Sequence, residues 1–326
     1  MCHSQADSKL TALRSALWGV LLLGVVALSI PARITAEPIF CHSGHVIGDE
    51  FLNGEKGGDL PAGPATQIVT AGSNTFNVYY LDVINNRNFG FDDPTAVNPV
   101  EVPAGVSVST EGELRRNAMK EVLSYVADVL NQQGTLDVLV QESENDTEGN
   151  TLASAGTRFF TTPGFTNGTA FARLMNGVKP SQGSEEIFVV VNFGASYHAG
   201  TAATLPFEEF DLFTVLLHEI THGIGVKSLS DQGGNGNASN VYSVWDSFTE
   251  TSGQSRLFAG NPPVFTGTPV DLTSDSLFFD GPEAFSEYNQ GVRAGIFAPN
   301  PFSSGSSLGH WDLDKIAGGA VMEPAI

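Results

Sequence analysis

The sequence predicts an α+β fold, a mixed twisted β-sheet carrying two long helices over a loop-rich C-terminal half. Three observations predict it. Two segments repeat their apolar residues with a helical period, Glu111 to Leu130 and Leu205 to Gly225. Strand-like runs lie before and between them, one of them continuously apolar. Beyond Val226 the periodicity fades into loops such as "DQGGNGNASN" and "NPFSSGSSLG". With 41% hydrophobic and 16% charged residues in a chain of 326, a packed core is expected and global disorder is not.

The N-terminus reads as a secretory signal over residues 1–36. Lys9 and Arg14 precede an apolar core, Ala16 to Ile30, and Ala36 closes a small-residue cleavage site. That core is short for a membrane span, so the mature chain is expected to be secreted and free of the membrane, with an uncleaved anchor as the alternative. Residues 37–74 are rich in Gly and Pro and read as a leader or pro-like segment. Cys2 leaves with the signal and Cys41 is then alone, so no intramolecular disulfide framework is available.

"FNVYYLDV", Phe76 to Val83, begins the first subdomain, residues 75–227, as a strand. In the helix from Glu111 to Leu130, Leu114, Ala118, Val122, Tyr125 and Val129 form one apolar stripe. "TLDVLVQES" (Thr135 to Ser143) and "EEIFVVVNFG" (Glu185 to Gly194) are strands; the second is a candidate edge for an extended substrate, or plain sheet core. Pro206, Glu208 and Glu209 suit the first turn of the second helix. Residues 228–326 form the loop-rich second subdomain.

A net charge of −21 and a pI of about 4.5 exclude a nucleic-acid partner, which needs a basic face. They also disfavour anionic membrane surfaces. Acidic loops at Phe91–Pro94 and Asp231–Asn237 raise Ca2+, but no EF-hand spacing is present and ordinary turns explain them. Asn145, Asn167 and Asn237 begin N-x-Ser/Thr sequons.

The chemistry is concentrated in "LLHEITHGIGVKS", Leu216 to Ser228. Two histidines four apart on a helix differ by about 40° in direction, so His218 and His222 can share one metal ion. Glu219 is angled off that pair, where it can reach a water without ligating the metal. A hydrolytic zinc site needs a third protein ligand and an open position. Ser228 offers only a neutral hydroxyl. His42 and His45 lie in the leader, and His198, in "SYHAG", reads as a lone surface residue at a sheet edge or loop. His310, in "GSSLGHWDLDKIAGGAVMEPAI", and an acidic ligand from "VWDSFTE", Asp246 or Glu250, remain open.

"HEITHGIG", followed far downstream by "GHWD" and "VMEP", resembles the leishmanolysin-type metzincins, in particular secreted bacterial zinc metallopeptidases. "GELRRNAMKEVLSYVADVL", "TLASAGTRFF", "EIFVVVNFG" and "VYSVWDSF" are similar to their other segments, so that the likeness covers about residues 75–326, with only the two zinc motifs specific. The resemblance implies a metzincin-like fold and one catalytic Zn2+ on His218, His222 and His310. It implies Glu219 as catalytic base, Gly225 as the helix-end turn and Met322 in a turn beneath the metal. The implied activity is a secreted endopeptidase acting on protein or peptide substrates. The sequence stops four residues after Met322, where the family continues, so the resemblance leaves two expectations open, a chain truncated just after this turn or an unusually short natural end. Some metzincins are held latent by a pro-segment thiol, which makes Cys41 a candidate latency thiol; a free or intermolecularly paired cysteine is the plainer reading. The alternative function is a non-catalytic secreted zinc-binding or adhesive protein derived from a peptidase fold. Glu219 weighs against it, since a structural zinc has no use for that base.

Overall fold

The computed structural model describes residues 59–326, apart from 131, 150, 161, 178, 180–183, 201–208, 237–239, 283–292, 317–320 and 325–326. The signal, the start of the leader, Cys41, His42, His45, Pro206, Glu208 and Asn237 lie outside the described residues.

The architecture is α+β. Its main sheet joins β1 (Gln67–Ala71), β2 (Asn74–Tyr80), β3 (Gly134–Val140), β4 (Ala153–Gly156) and β6 (Ile187–Val191) in the order β1-β2-β3-β6-β4. β2, β3 and β6 are parallel, while β1 and β4 run antiparallel at the two edges. Phe76 faces Leu136 and Val78 faces Val138; Val140 faces Val189, which in turn faces Ala155. β2 alternates buried and half-buried residues, as a strand with one core face should, whereas all five residues of β6 are buried. β6 lies between β3 and β4, so of the two readings of this strand the substrate edge is corrected and the sheet core holds: both its hydrogen-bonding sides are taken, and β4 is at the edge. Gln67–Ala71, within the stretch read as leader, is a strand of this sheet.

The strand expected through Val83 ends at Tyr80 and turns into a short helix, α1 (Leu81–Ile84). Asp82 is fully buried there and accepts backbone N–H groups from Phe91 and Ser143, both at 3.0 Å, which pins the turn. Helix α2 (Glu111–Leu130) begins where Thr110 and Glu113 form a capping box: Glu113 N–H donates to the Thr110 hydroxyl, and the Glu113 carboxylate accepts from Thr110 N–H, both at 3.3 Å. A third helix, α3 (Thr169–Asn176), packs on β3.

Helix α4 (Leu212–Ile224) carries the HExxH motif. It starts later than the sequence suggests. Phe210–Asp211 forms a short strand, β8, parallel to β7 (Tyr197–His198), and Asp211 caps the helix by accepting the Thr214 N–H at 3.0 Å. An acceptor side chain at the N-cap outcompetes the upstream acidic turn. α4 packs against α2, β4 and β6. At Gly223 a Cβ would lie 2.5 Å from Ile187 Cγ2, so glycine lets the helix approach the sheet. Gly225, at φ +121°, ends the helix in a conformation that favours glycine.

The remaining strands are short: β5 (Gly164–Thr166) with β9 (Val241–Ser243), β10 (Thr249–Thr251) with β13 (Leu277–Phe279) and β14 (Ala294–Ile296), and the hairpin β11 (Phe258–Gly260) with β12 (Pro263–Phe265). Burial divides into two apolar clusters, one between the main sheet and its helices, the other around Trp245, Phe279, Trp311 and Met322. Val321 belongs to the first and Met322 to the second, so the chain near its end bridges both. Among the described residues no helix is long and apolar enough to cross a membrane.

Candidate metal centre

α4 projects His218 and His222 from one face, and the segment after β14 brings His310 to meet them. All three side chains are fully buried, as is Glu219. Among the described residues, this is the one group of three or more His, Cys, Asp or Glu side chains placed to hold a metal ion.

Each imidazole is oriented by a backbone carbonyl. His218 Nδ1 donates to Val321 (2.6 Å), His222 Nδ1 to Val226 (2.7 Å) and His310 Nδ1 to Ser306 (2.7 Å). A carbonyl oxygen only accepts, so these bonds assign the proton to Nδ1 and leave a lone pair on each Nε2. The three Nε2 atoms form a triangle with sides of 3.1, 3.2 and 3.2 Å. Tetrahedral zinc with N ligands at 2.0–2.1 Å sets those nitrogens about 3.3 Å apart, so the donor set fits such an ion. Burial pushes the His222 pKa well below the ordinary imidazole value, and the neighbouring His310 imidazole, where a second proton would crowd the first, and the Lys227 charge push it the same way. The neutral imidazole is the form that ligates a metal.

The surroundings fix this geometry from several directions. Val226 follows Gly225 directly, so the glycine turn delivers the carbonyl that holds His222. Trp311, beside His310, donates its backbone N–H to the Met322 carbonyl at 2.7 Å. Its ring lies 5.0 Å from that of Trp245 and 5.6 Å from that of Phe279. Trp311 therefore packs, and Val321 and Met322 carry the chain past His218 and His310 together. Burial raises the Tyr197 phenol pKa, and the charge of the Glu219 carboxylate adds to the rise. The Tyr197 hydroxyl donates to the Leu152 carbonyl at 2.6 Å, next to edge strand β4.

Other candidates lead elsewhere. Ser228 donates its hydroxyl to Asp246 at 2.6 Å. The Asp246 carboxylate also accepts N–H groups from Leu229 (3.0 Å) and Ser243 (2.8 Å), which commits it to the loop after α4. Burial raises its pKa, and these hydrogen bonds oppose the rise. Glu250 is buried against Arg293. His198 is buried on β7, not at the surface, with Nδ1 3.6 Å from a Glu209 carboxylate oxygen. Both acidic loops form turns. Asp92 accepts the Asn88 N–H at 3.0 Å, and Asp231 accepts those of Gly233 and Asn235 at 2.8 Å. Asn145 is exposed and Asn167 half-buried.

The residues invisible to sequence reasoning are those acting through backbone atoms, Val226, Ser306 and Val321. Comparison with models of protein families, with curated proteins and with solved structures gave no match.

Proposed function

We propose that the chain is a secreted zinc-dependent endopeptidase with a metzincin-like fold of the leishmanolysin type. The observation that carries this reading is the Nε2 triangle of His218, His222 and His310, with sides of 3.1–3.2 Å, beside Glu219 of the same helix. When bound, zinc supplies Lewis acidity toward the scissile carbonyl and lowers the pKa of water to about 7. Glu219 takes the proton of the attacking water and passes it to the leaving amine. The three Nδ1–H groups keep the imidazoles aligned through their carbonyl partners, which also raises their basicity as ligands. Trp311 and Met322 hold the His310 segment against the end of the chain. Edge strand β4, in place of β6, is the strand position from which backbone groups could align an extended substrate.

Complete burial of all four side chains favours a second reading, a non-catalytic secreted zinc-binding protein with a closed site. Zinc stoichiometry and hydrolysis, measured together, separate the two. The peptidase reading expects one zinc per chain, lost in His310→Ala and kept in Asp246→Ala, with hydrolysis lost in Glu219→Gln. One zinc per chain with no hydrolysis by wild type would establish the second reading.

A further inference from the structure

Trp245 and Asp246 are consecutive, fully buried residues between β9 and β10, and their side chains hold different parts of the chain. Asp246 holds the segment that follows His222: its carboxylate accepts the Ser228 hydroxyl at 2.6 Å and the Leu229 N–H at 3.0 Å. Trp245 holds the segment that precedes His310: its indole Nε1–H donates to the Leu308 carbonyl at 2.6 Å. We propose that Trp245 and Asp246 are positioning residues for the zinc site, a single bracket that fixes the His222 and His310 segments relative to one another and so sets the zinc affinity.

Each segment needs such a hold, because each delivers its orienting carbonyl from a loop. Val226 follows the Gly225 turn at φ +121°, and its own N–H bond to the Thr221 carbonyl is long, at 3.3 Å. Anchored there alone, the loop could swing the Val226 carbonyl away from His222 Nδ1. Asp246 fixes the loop two and three residues further on, and Ser228 Oγ extends the hold by accepting the Ser230 N–H at 3.1 Å. On the other segment, the Ser306 carbonyl orients His310, and Leu308 stands between them at φ +68°. A leucine keeps this left-handed conformation only where its surroundings impose it. Here the Trp245 bond to its carbonyl and the bond from its own N–H to Phe297, at 2.9 Å, do so. The bracket is itself held firmly. Asp246 also accepts the Ser243 N–H (2.8 Å) and hydroxyl (2.9 Å), and the Trp245 ring lies 4.7 Å from Phe279 and 5.0 Å from Trp311. The Cα atoms of its two residues are about 3.8 Å apart, so a shift of one ligand segment is passed to the other. Asp246 thus serves the centre from behind the ligands, through the carbonyls that orient them.

This inference rests on the three histidines holding zinc and is independent of hydrolysis. The test measures zinc affinity by chelator competition, and the visible spectrum of the Co2+-substituted protein, in the intact chain and four variants. Asp246→Asn keeps the shape but turns one acceptor oxygen into a donor. Trp245→Phe keeps an aromatic ring and removes the N–H. Ser228→Ala removes one bond of the loop and serves if Asp246→Asn fails to fold. Asp82→Asn is the control, since Asp82 is an equally buried carboxylate whose backbone donors are Phe91 and Ser143. The expected result is one zinc per chain at saturation throughout, with Kd raised about tenfold or more in the bracket variants and the cobalt spectrum shifted. Asp82→Asn is expected to lose stability while keeping the wild-type Kd and spectrum, which separates positioning from general destabilisation. An unchanged Kd in Trp245→Phe, an unchanged Kd in both Asp246→Asn and Ser228→Ala, or an equal rise in Asp82→Asn overturns the proposal and leaves the zinc site standing. A wild type that binds no zinc overturns the metal reading and the bracket with it.

Discussion

Three lone pairs within 3.2 Å of one another repel unless something positive lies between them, and His218, His222 and His310 are held in that arrangement by three separate carbonyls. Removing a single imidazole should therefore remove the metal. His310→Ala is expected to lose stoichiometric zinc, measured by mass spectrometry of the native protein. Asp246→Ala is expected to keep it while losing about 2–4 kcal/mol of stability in denaturant titration, because buried N–H and hydroxyl donors are left without their acceptor. Retention of zinc by the first variant and loss by the second would reverse the assignment. The depressed His222 pKa has a signed consequence in the metal-free protein. The unfolded chain binds a proton near pH 6.5 that the folded chain does not, so stability is full above that value and falls as pH drops below it. Thermal melts of metal-free protein between pH 7.5 and 5 should move steadily downward. Of these residues, the His-Glu-His set was legible from spacing alone, since four residues make about one helical turn. His310 was reachable only through the likeness of "GHWD" and "VMEP", because nothing local relates it to a helix so far upstream.

At the scale of elements, α4 is placed by two glycines and one cap. Gly223 lets it touch β6, Gly225 turns the chain so that Val226 can hold His222, and Asp211 sets its first turn. Gly223→Ala is expected to destabilise by about 1–3 kcal/mol through overpacking against Ile187. Gly225→Ala adds backbone strain of about 1–2 kcal/mol and should weaken zinc affinity as well, by moving the Val226 carbonyl. A Gly225→Ala variant with wild-type zinc affinity would show that this carbonyl does not position the ligand. The same elements show what the sequence could and could not reveal. α2 was readable to both ends because its apolar stripe is unbroken along the helix. The start of α4 was misread because Pro206, Glu208 and Glu209 imitate a first turn, whereas the chain spends Phe210–Asp211 on a strand. β4, "ASAG", has small residues and no apolar alternation, so it carries no strand signal; its partner β6 supplies the pairing. That β6 stayed open between edge and core has the same root. Strand order is a non-local property, and a continuously apolar run argues for the middle of a sheet as readily as for its side.

Across the whole molecule, the centre joins two cores. His218 and His222 belong to a helix seated on the first, His310 precedes Trp311 of the second, and Val321–Met322 spans both. A bound ion is thus a cross-link between the halves as well as a cofactor. A ligand at a hundredfold excess over its Kd stabilises the native state by about 2.7 kcal/mol. Chelation should then lower the melting temperature by about 5 °C or more, with recovery on adding zinc. The α+β arrangement was legible from the alternation of periods, and the fading of that alternation after Val226 marked off a second half, but the residues that make up its core were not legible, since it is assembled from three-residue strands and scattered aromatics such as Trp245, Phe258 and Phe279. The measurement that most directly tests the central claim is hydrolysis of a labelled protein substrate by the zinc-loaded chain, with zinc-loaded Glu219→Ala in parallel. Cleavage by the wild type, falling at least about a hundredfold in the variant while one zinc per chain is retained, is the predicted result. Equal cleavage by both, or none by a wild type that holds its zinc, would contradict it.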